Sequence, residues 1–118
     1  MSIVHIKAPM QTPLAAFGTA VTAPPVGDAP RVQLFTKDEF EAADGSVEAG
    51  TWEATPGRFA RSIINAEFAQ FLAGHATFTT AAGIAYEFRA GDAAYFPPNT
   101  QGVWTIHDTV RKTFVIWR

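Results

Sequence analysis

From residue 47 onward, apolar and polar residues alternate in short runs, as they do in β-strands with one buried face. Each run ends in residues that favour turns, such as Thr55-Pro56-Gly57 and Ala90-Gly91-Asp92. Short strands spaced about ten residues apart predict an all-β sandwich or barrel. The predicted strands are 47–54, 58–64, 67–73, 75–79, 84–88, 93–96, 103–107 and 110–117.

The stretch Pro97-Pro98-Asn99 predicts a rigid turn between two of these strands. Proline has no N–H and a fixed φ, so the strand ending at residue 96 cannot continue through it. Asn99 tolerates the positive φ of a tight turn. The chain then resumes as a strand that contains Trp104. We expect this hairpin at the mouth of a barrel, with breaks at Gly74 and Asp108-Thr109 elsewhere.

Upstream of residue 47 the pattern is less regular. Residues 31–36 alternate and predict a strand, whereas the carboxylate-rich segment 37–44 resembles one helical turn with a solvated acidic face. Five prolines lie between residues 8 and 30, which is too many for a helix or a central strand. We therefore predict an irregular proline-rich arm over 1–30, with a helical turn at 14–17, that docks on its own or a partner's barrel of residues 31–118.

Composition restricts the possible functions. A chain of 118 residues forms one domain, and the absence of cysteine excludes disulfides and thiolate metal sites. The sequence has nine Lys and Arg, 11 Asp and Glu, and no block of basic residues. It therefore predicts no positively charged groove for nucleic acid. No signal peptide and no apolar run of about 18 residues are present, so we expect a cytoplasmic protein that does not bind a membrane.

Six short motifs, in the same order, resemble the cupin superfamily, whose fold is a double-stranded β-helix or jelly-roll barrel. The greatest likeness is to a small subgroup related to (S)-ureidoglycine aminohydrolases and ethanolamine-utilisation cupins, and it covers residues 45–118. The motifs are Gly50-Thr-Trp52, Pro56-Gly57, Glu67 with Gly74, Gly91-Asp92 with Pro97, Gly102-Val-Trp104 and Val110-Arg-Lys112. The resemblance implies an all-β cupin barrel preceded by the arm.

The resemblance also implies where a metal ion would bind. Metal-binding cupins use two histidines and a glutamate of the first motif and one histidine of the second, a set that suits Mn, Fe, Ni or Zn. The corresponding positions here are Glu67, then either Ala60 and Ser62 or Arg61 and Ile63, and finally Gly102. Because none of the expected histidines is present, we predict that the protein uses no metal and no cofactor.

The three histidines of the chain occupy other positions. His5 lies in the arm. If Trp104 and Ile106 point into the barrel, strand alternation turns His107 outward. His75 has the same parity as Glu67, so it lies either on the inner face near one end or, as we prefer, in a partly exposed, hydrogen-bonded position.

Glu67 is the candidate catalytic residue, and its role has two interpretations. It could act as a general acid or base inside the barrel, or it could be structural and ion-paired with Arg58 or Arg61. Aromatic residues such as those after position 50 more often fill the core than line a pocket, but in an open barrel they would line it. Arg61 or Lys112 would hold an anionic group. The predicted ligand-binding residues are Trp52, Phe59, Arg61, Tyr95, Trp104 and Lys112.

Three functional hypotheses follow. The preferred one is a metal-free cupin that binds a small organic molecule, either neutral or anionic, in an aromatic-lined barrel. The second is an enzyme of aminohydrolase or isomerase type that uses Glu67, and the third is a structural or regulatory dimerisation module. Because residues 110–117 carry aromatic side chains on both faces, Phe114 and Trp117, we also predict a symmetric homodimer, with exchange of the arms as an option.

Overall fold

The computed structural model describes residues 3–18 and 25–118, and these residues form eight β-strands and one short 3-10 helix, Pro9–Gln11. Within these ranges, no helix is long and apolar enough to cross a membrane. The strands are β1 (Ala15–Gly18), β2 (Leu34–Glu41), β3 (Val47–Ala54), β4 (Gly57–Ile63), β5 (Ala66–Thr80), β6 (Ala85–Arg89), β7 (Ala93–Phe96) and β8 (Thr100–Trp117).

The two longest strands, β5 and β8, pair antiparallel along their length and connect the two halves of the barrel. The last residues of β8 pair with β3, and β2 and β1 follow in order. The first residues of β8 pair with β4 instead. On the other side, β5 pairs with β7 and then with β6. The antiparallel sheet therefore bends along β5 and β8 into a jelly roll.

The predicted breaks at Gly74 and Asp108-Thr109 are wrong, because β5 and β8 each continue through them. The pairing instead shifts register between Phe71 and Ala76, so the chain accommodates the irregularity as bulges. Gly74 has a φ of 88°, and a Cβ at this position would meet the Thr109 carbonyl oxygen. A glycine is required there because the two strands approach so closely.

Two predicted helical turns are also wrong. Residues 37–44 do not form one, because β2 extends to Glu41 and its backbone pairs with β3. Residues 14–17 do not form one either, since β1 begins at Ala15 and pairs with β2. In both cases the ladder hydrogen bonds of the sheet outweigh the local preference of a short segment. Among the described residues of the arm, a helical turn lies earlier, at Pro9–Gln11.

The arm contacts its own barrel at residues 9–18 and 25–26, whereas Ile3 is 94% exposed. Residues 1–2 and 19–24 lie outside the described residues. Arg111 donates from Nη1 to the carbonyl oxygens of Pro9 (2.8 Å) and Thr12 (3.1 Å). The same side chain donates from Nε to Glu53 at 3.0 Å. Arg111 thus attaches the arm to the outer face of its own barrel, while the neighbouring residue Lys112 points inward.

The core of the barrel is largely aromatic. The largest fully buried side chains include Phe59, Phe71, Phe78 and Trp104. The Phe78 and Trp104 rings meet edge to face with centroids 4.9 Å apart, a geometry that adds to the burial of apolar area. At one end of the core the predicted turn is confirmed, since Asn99 has a φ of 63°.

Candidate functional site

A cavity of about 310 Å³ lies inside the barrel, between the two halves of the sheet. Five strands contribute to it, namely β2, β3, β4, β5 and β8. The lining residues are Leu34, Thr36, Asp38, Glu48, Trp52, Phe59, Arg61, Ile63, Glu67, Trp104, Lys112, Phe114, Ile116 and Arg118. Most of the wall is apolar, and its charged groups lie in two places, which we name the floor and the mouth.

The floor is the ion pair of Glu67 on β5 and Lys112 on β8. Lys112 Nζ donates to Glu67 Oε2 at 2.7 Å, and each side chain is only 7% exposed. The two residues are not opposite each other in the ladder, since Lys112 pairs with Phe71 and Glu67 pairs with Ile116. Their long side chains meet inside the barrel, across four positions of the strands. Removing either partner would leave a charge without compensation in an apolar interior.

Aromatic rings surround the Lys112 ammonium. Its Nζ lies 4.5 Å from the ring centroid of Trp52 and 5.6 Å from that of Trp104. The rings of Phe96 and Phe71 follow at 5.8 Å and 6.0 Å. The negative ring faces stabilise a cation at these distances. The lysine therefore has electrostatic partners although it is almost fully removed from solvent.

The hydrogen-bonding capacity of the floor is only partly used. Glu67 Oε1 accepts no hydrogen bond from the described residues, and Lys112 donates one of its three N–H groups. One free acceptor and two free donors therefore remain on buried side chains beside the cavity. Buried polar groups normally find partners, from the protein or from bound molecules.

The mouth includes two carboxylates, Asp38 on β2 and Glu48 on β3. Glu48 accepts a hydrogen bond from Arg118 Nη2 at 2.7 Å. Partial burial raises the pKa of Asp38 to about 6, and the adjacent Glu48 adds to the shift through hydrogen bonding and repulsion. Asp38 is exposed, as the predicted solvated acidic face requires, and the extension of β2 also places it in the lining of the cavity.

Arg61 on β4 also lies at the mouth. It is exposed, and it has no ion-pair partner among residues 3–18 and 25–118. Opposite Arg61 across the β4–β8 ladder is Gly102, which has no side chain to cover the guanidinium. The mouth therefore carries an acidic pair and an unpaired cation.

The positions at which cupins hold a metal are now located. Arg61 and Ile63 line the cavity together with Glu67, whereas Ala60 and Ser62 lie on the opposite face of β4. A Cβ at Gly102 would meet the Phe78 ring and the Thr79 carbonyl oxygen. In the part of the chain that the structure describes, no group of three or more His, Cys, Asp or Glu could hold a metal ion. These residues do not fit a cupin metal centre.

Five of the six predicted ligand-binding residues line the cavity together with Glu67, and Tyr95 does not. Phe96 faces the core, so alternation along β7 turns Tyr95 outward, where it is 59% exposed beside Phe68. The five that the structure brings together are Trp52, Phe59, Arg61, Trp104 and Lys112. The predicted ion pair of Glu67 with Arg58 or Arg61 is wrong, because its partner is Lys112.

The histidines lie outside the cavity. His107 points outward, as predicted, and its Nε2 is 2.9 Å from Thr77 Oγ1. His75 is partly exposed and hydrogen-bonded to Glu87 at 2.9 Å, which confirms the preferred interpretation. The bulges near Gly74 change the parity of β5, so His75 does not share the inner face with Glu67.

Several cavity residues were not predicted from the sequence, and a usable signal exists for some of them. The two-residue period of a strand connects Leu34, Thr36 and Asp38. This spacing was a reason to predict a strand that continues past residue 36. Glu48 and Arg118 offer no comparable signal. Both are ordinary surface residue types, and they meet only because β3 and the end of β8 are adjacent.

Comparison with known proteins places this barrel in a family. Residues 41–114 match the family model of the EutQ-like cupin domain. The chain belongs to the EutQ-like cupins. This EutQ-like cupin matches no curated protein. The predicted fold class, an all-β cupin jelly roll, is confirmed by the family and by the strands described above.

Solved structures with this fold share little sequence with the EutQ-like cupin. Ethanolamine utilization protein Q from Salmonella typhimurium is 22% identical, with a TM-score of 0.65 over 72% of this chain and 69% of that one. EutQ from Clostridium difficile is 17% identical, with a TM-score of 0.73 over 96% and 85%. A DUF861 protein of unknown function from Pseudomonas syringae is 20% identical, with a TM-score of 0.77 over 90% and 45%. Such identities show the fold alone.

Proposed function

We propose that this EutQ-like cupin binds a small polar organic molecule in its barrel cavity. The observation that carries the proposal is the buried Glu67–Lys112 pair, whose unused hydrogen-bonding groups face a cavity inside a well-packed barrel. Complete enclosure of this pair without partners for its remaining donors and acceptor would cost free energy, so the groups that face the cavity are placed to bind water or a ligand.

The size and surface of the cavity suit such a ligand. Its volume of about 310 Å³ lies at the lower end of the range for small-molecule sites, roughly 300–1,000 Å³. Apolar side chains such as Phe59, Trp104 and Phe114 would contact the carbon skeleton of the ligand. A few polar groups among apolar walls are the usual composition of a metabolite site.

The floor would bind a ligand group that both donates and accepts hydrogen bonds. Glu67 Oε1 offers an acceptor, and the Lys112 ammonium offers donors beside it. A primary amide or a hydroxy acid could satisfy both residues at once. Hydrogen bonds to charged partners are about twice as strong as neutral ones, so this contact would orient the molecule.

The proposal is tested by titrating a panel of amides, hydroxy acids and amino acids while following backbone amide signals by NMR and thermal unfolding. A ligand at a hundredfold excess over its Kd should stabilise the protein by about 2.7 kcal/mol. Glu67→Gln should weaken binding of any hit, whereas Glu53→Gln, on the outer face beside Arg111, serves as the matched control. Hits that bind equally well to the Glu67→Gln protein would contradict the proposal.

The same ion pair supports a second candidate function, acid–base catalysis on the bound molecule. Both side chains line the cavity, so a carboxylate and an ammonium group are available to accept and donate a proton at an atom of a ligand on the floor. If the protein is an enzyme of this kind, Glu67→Asp should keep some turnover of a bound hit and Glu67→Gln should abolish it. NMR of the hit over time would show product in the first case only.

A further inference from the structure

The charges at the cavity mouth are divided between the two halves of the sheet. Asp38 and Glu48 lie on β2 and β3, which connect to the last residues of β8. Arg61 lies on β4, which pairs with residues 100–106 of β8. All three line the same cavity. Because Arg118 pairs with Glu48, the side formed by β2 and β3 keeps one carboxylate without an ion pair, Asp38, and the side formed by β4 keeps one such cation, Arg61, among the described residues.

Neither Asp38 nor Arg61 forms an ion pair with any residue that the structure describes, although Glu48 is a hydrogen-bond partner of Asp38 and Arg118 lowers its pKa. Among the described residues, Arg118 pairs with Glu48 rather than Asp38, and no carboxylate lies within ion-pair distance of Arg61. Each of the two also faces a glycine across its ladder. Gly50 lies opposite Asp38, and Gly102 lies opposite Arg61. No side chain at those two positions comes between these groups and the cavity.

We infer that the ligand is a zwitterion whose ammonium group binds at Asp38 and whose carboxylate binds at Arg61. An amino acid with separated amino and carboxylate groups is the simplest molecule of this class. The inference rests on the proposed function, since it specifies the ends of the molecule that occupies the cavity. The apolar walls between the two sides would contact the chain that links the two charges.

The overall charge of the lining agrees with a ligand of zero net charge. Three cationic residues and three carboxylates line the cavity, so the ionised lining is neutral. The three cationic residues are Arg61, Lys112 and Arg118, and the three carboxylates are Asp38, Glu48 and Glu67. A ligand with one charge would satisfy one side of the mouth and leave the other uncompensated. A zwitterion satisfies both, and guanidinium groups pair well with carboxylates.

Protonation of Asp38 supports the same assignment. Its pKa is about 6, raised by partial burial and by Glu48 and Glu41, with Arg118 acting in the opposite direction. An ammonium group bound at Asp38 would favour the ionised carboxylate. Below about pH 6, binding would therefore remove the proton from Asp38. The affinity for the zwitterion should therefore increase as the pH rises through about 6.

The experiment compares γ-aminobutyrate and β-alanine with butyrate, butylamine and neutral butyramide, each titrated into the full chain by NMR. At least one of the two zwitterions should bind about tenfold more tightly than the singly charged and neutral compounds. Asp38→Asn should remove the preference over butyrate, and Arg61→Gln should remove the preference over butylamine. Asp28→Asn and Arg58→Gln, which alter residues outside this cavity, should keep both preferences.

The possible results separate this inference from the proposed function. Equal binding of butyramide or butyrate and the zwitterions would overturn the inference and leave a small-molecule site intact. A preference that survives both Asp38→Asn and Arg61→Gln would overturn it as well. If none of the five compounds binds, the inference is wrong for this class of ligand, and the broader panel then decides the proposed function separately.

Discussion

Lys112 donates a hydrogen bond to Glu67 over 2.7 Å, although the two residues are 45 positions apart in the sequence. The contact joins the two strands that run through both halves of the barrel, and it lies in the cavity that those halves enclose. The pair therefore forms only in the folded barrel, where β5 and β8 pack against each other.

The ion pair itself should have a large effect on stability. Lys112→Met leaves the Glu67 carboxylate buried without its partner, and we expect a loss of about 3–5 kcal/mol in the free energy of unfolding. The double change Lys112→Met with Glu67→Leu should recover most of that loss, since two apolar groups replace two charges. Urea unfolding measures both.

A surface lysine provides the control for this prediction. Lys37 pairs with Glu39 at 3.4 Å, with half of the Lys37 side chain exposed, so Lys37→Met should cost less than about 1 kcal/mol. If Lys112→Met costs no more than Lys37→Met, the floor does not contain a desolvated ion pair and the described geometry is wrong.

Asp38 should make the protein less stable as the pH rises from about 4 to about 6. Its folded pKa of about 6 exceeds its ordinary value, so the folded state binds a proton that the unfolded state has lost in this range. That favourable contribution is present at lower pH and disappears above the folded pKa. Thermal unfolding across this range should show the trend, and Asp38→Asn should reduce it. A carbon-13 NMR titration with a midpoint near 4 would contradict it.

The sequence predicted part of the site, namely the residues whose direction follows from the two-residue period of a strand. Strands 47–54 and 93–96 have the predicted limits, and Trp52, Arg61 and Trp104 point into the cavity as strand alternation requires. The same rule failed for Tyr95, whose inward neighbour Phe96 was not recognised.

The remaining parts of the site depend on contacts between distant segments. The sequence predicted a helical turn at Asp38. This residue belongs to a strand because it pairs with Gly50 on β3, and a short acidic segment gives no sign of that pairing. The Glu67–Lys112 pair was missed because the sequence offers nearby arginines as equally good partners for Glu67. Lys112 reaches Glu67 only through the cavity of the folded barrel. Bulges near Gly74 likewise changed the parity that was assumed for His75.

The turns at the ends of β6 and β7 give a further prediction. Gly91 has a φ of 95°, with no atom near the position of a Cβ, so Gly91→Val should cost about 2 kcal/mol through backbone strain alone. Pro98→Ala should cost about 1 kcal/mol or less, mainly by freeing the unfolded chain. Urea unfolding of both variants distinguishes the two effects. Equal, negligible losses would show that residue 91 does not hold this conformation.

The outer face of the barrel leads us to predict a homodimer. Phe68, Tyr95 and Trp117 are 44%, 59% and 44% exposed and lie on neighbouring strands of the same half of the sheet. Apolar surfaces of this kind commonly form interfaces between copies of a chain. Sedimentation at micromolar concentration should give twice the 12.7 kDa chain mass.

Two substitutions sharpen the test of assembly. Phe68→Glu should shift the protein to the monomer, whereas Tyr86→Glu, at an equally exposed aromatic residue on β6, should not. Truncation of the arm would then show whether residues 1–30 contribute to the dimer. A wild-type protein that sediments as a monomer at these concentrations would rule out the outer face as a self-association surface.

The most direct test of the proposed function is a crystal structure of the protein soaked with a hit from the ligand panel. We expect density for the molecule inside the cavity, with one of its donors within hydrogen-bonding distance of Glu67 Oε1 and an acceptor near Lys112 Nζ. The Glu67–Lys112 pair should remain intact beside it. A hit bound outside the barrel, with the cavity filled by the protein's own side chains, would contradict the account.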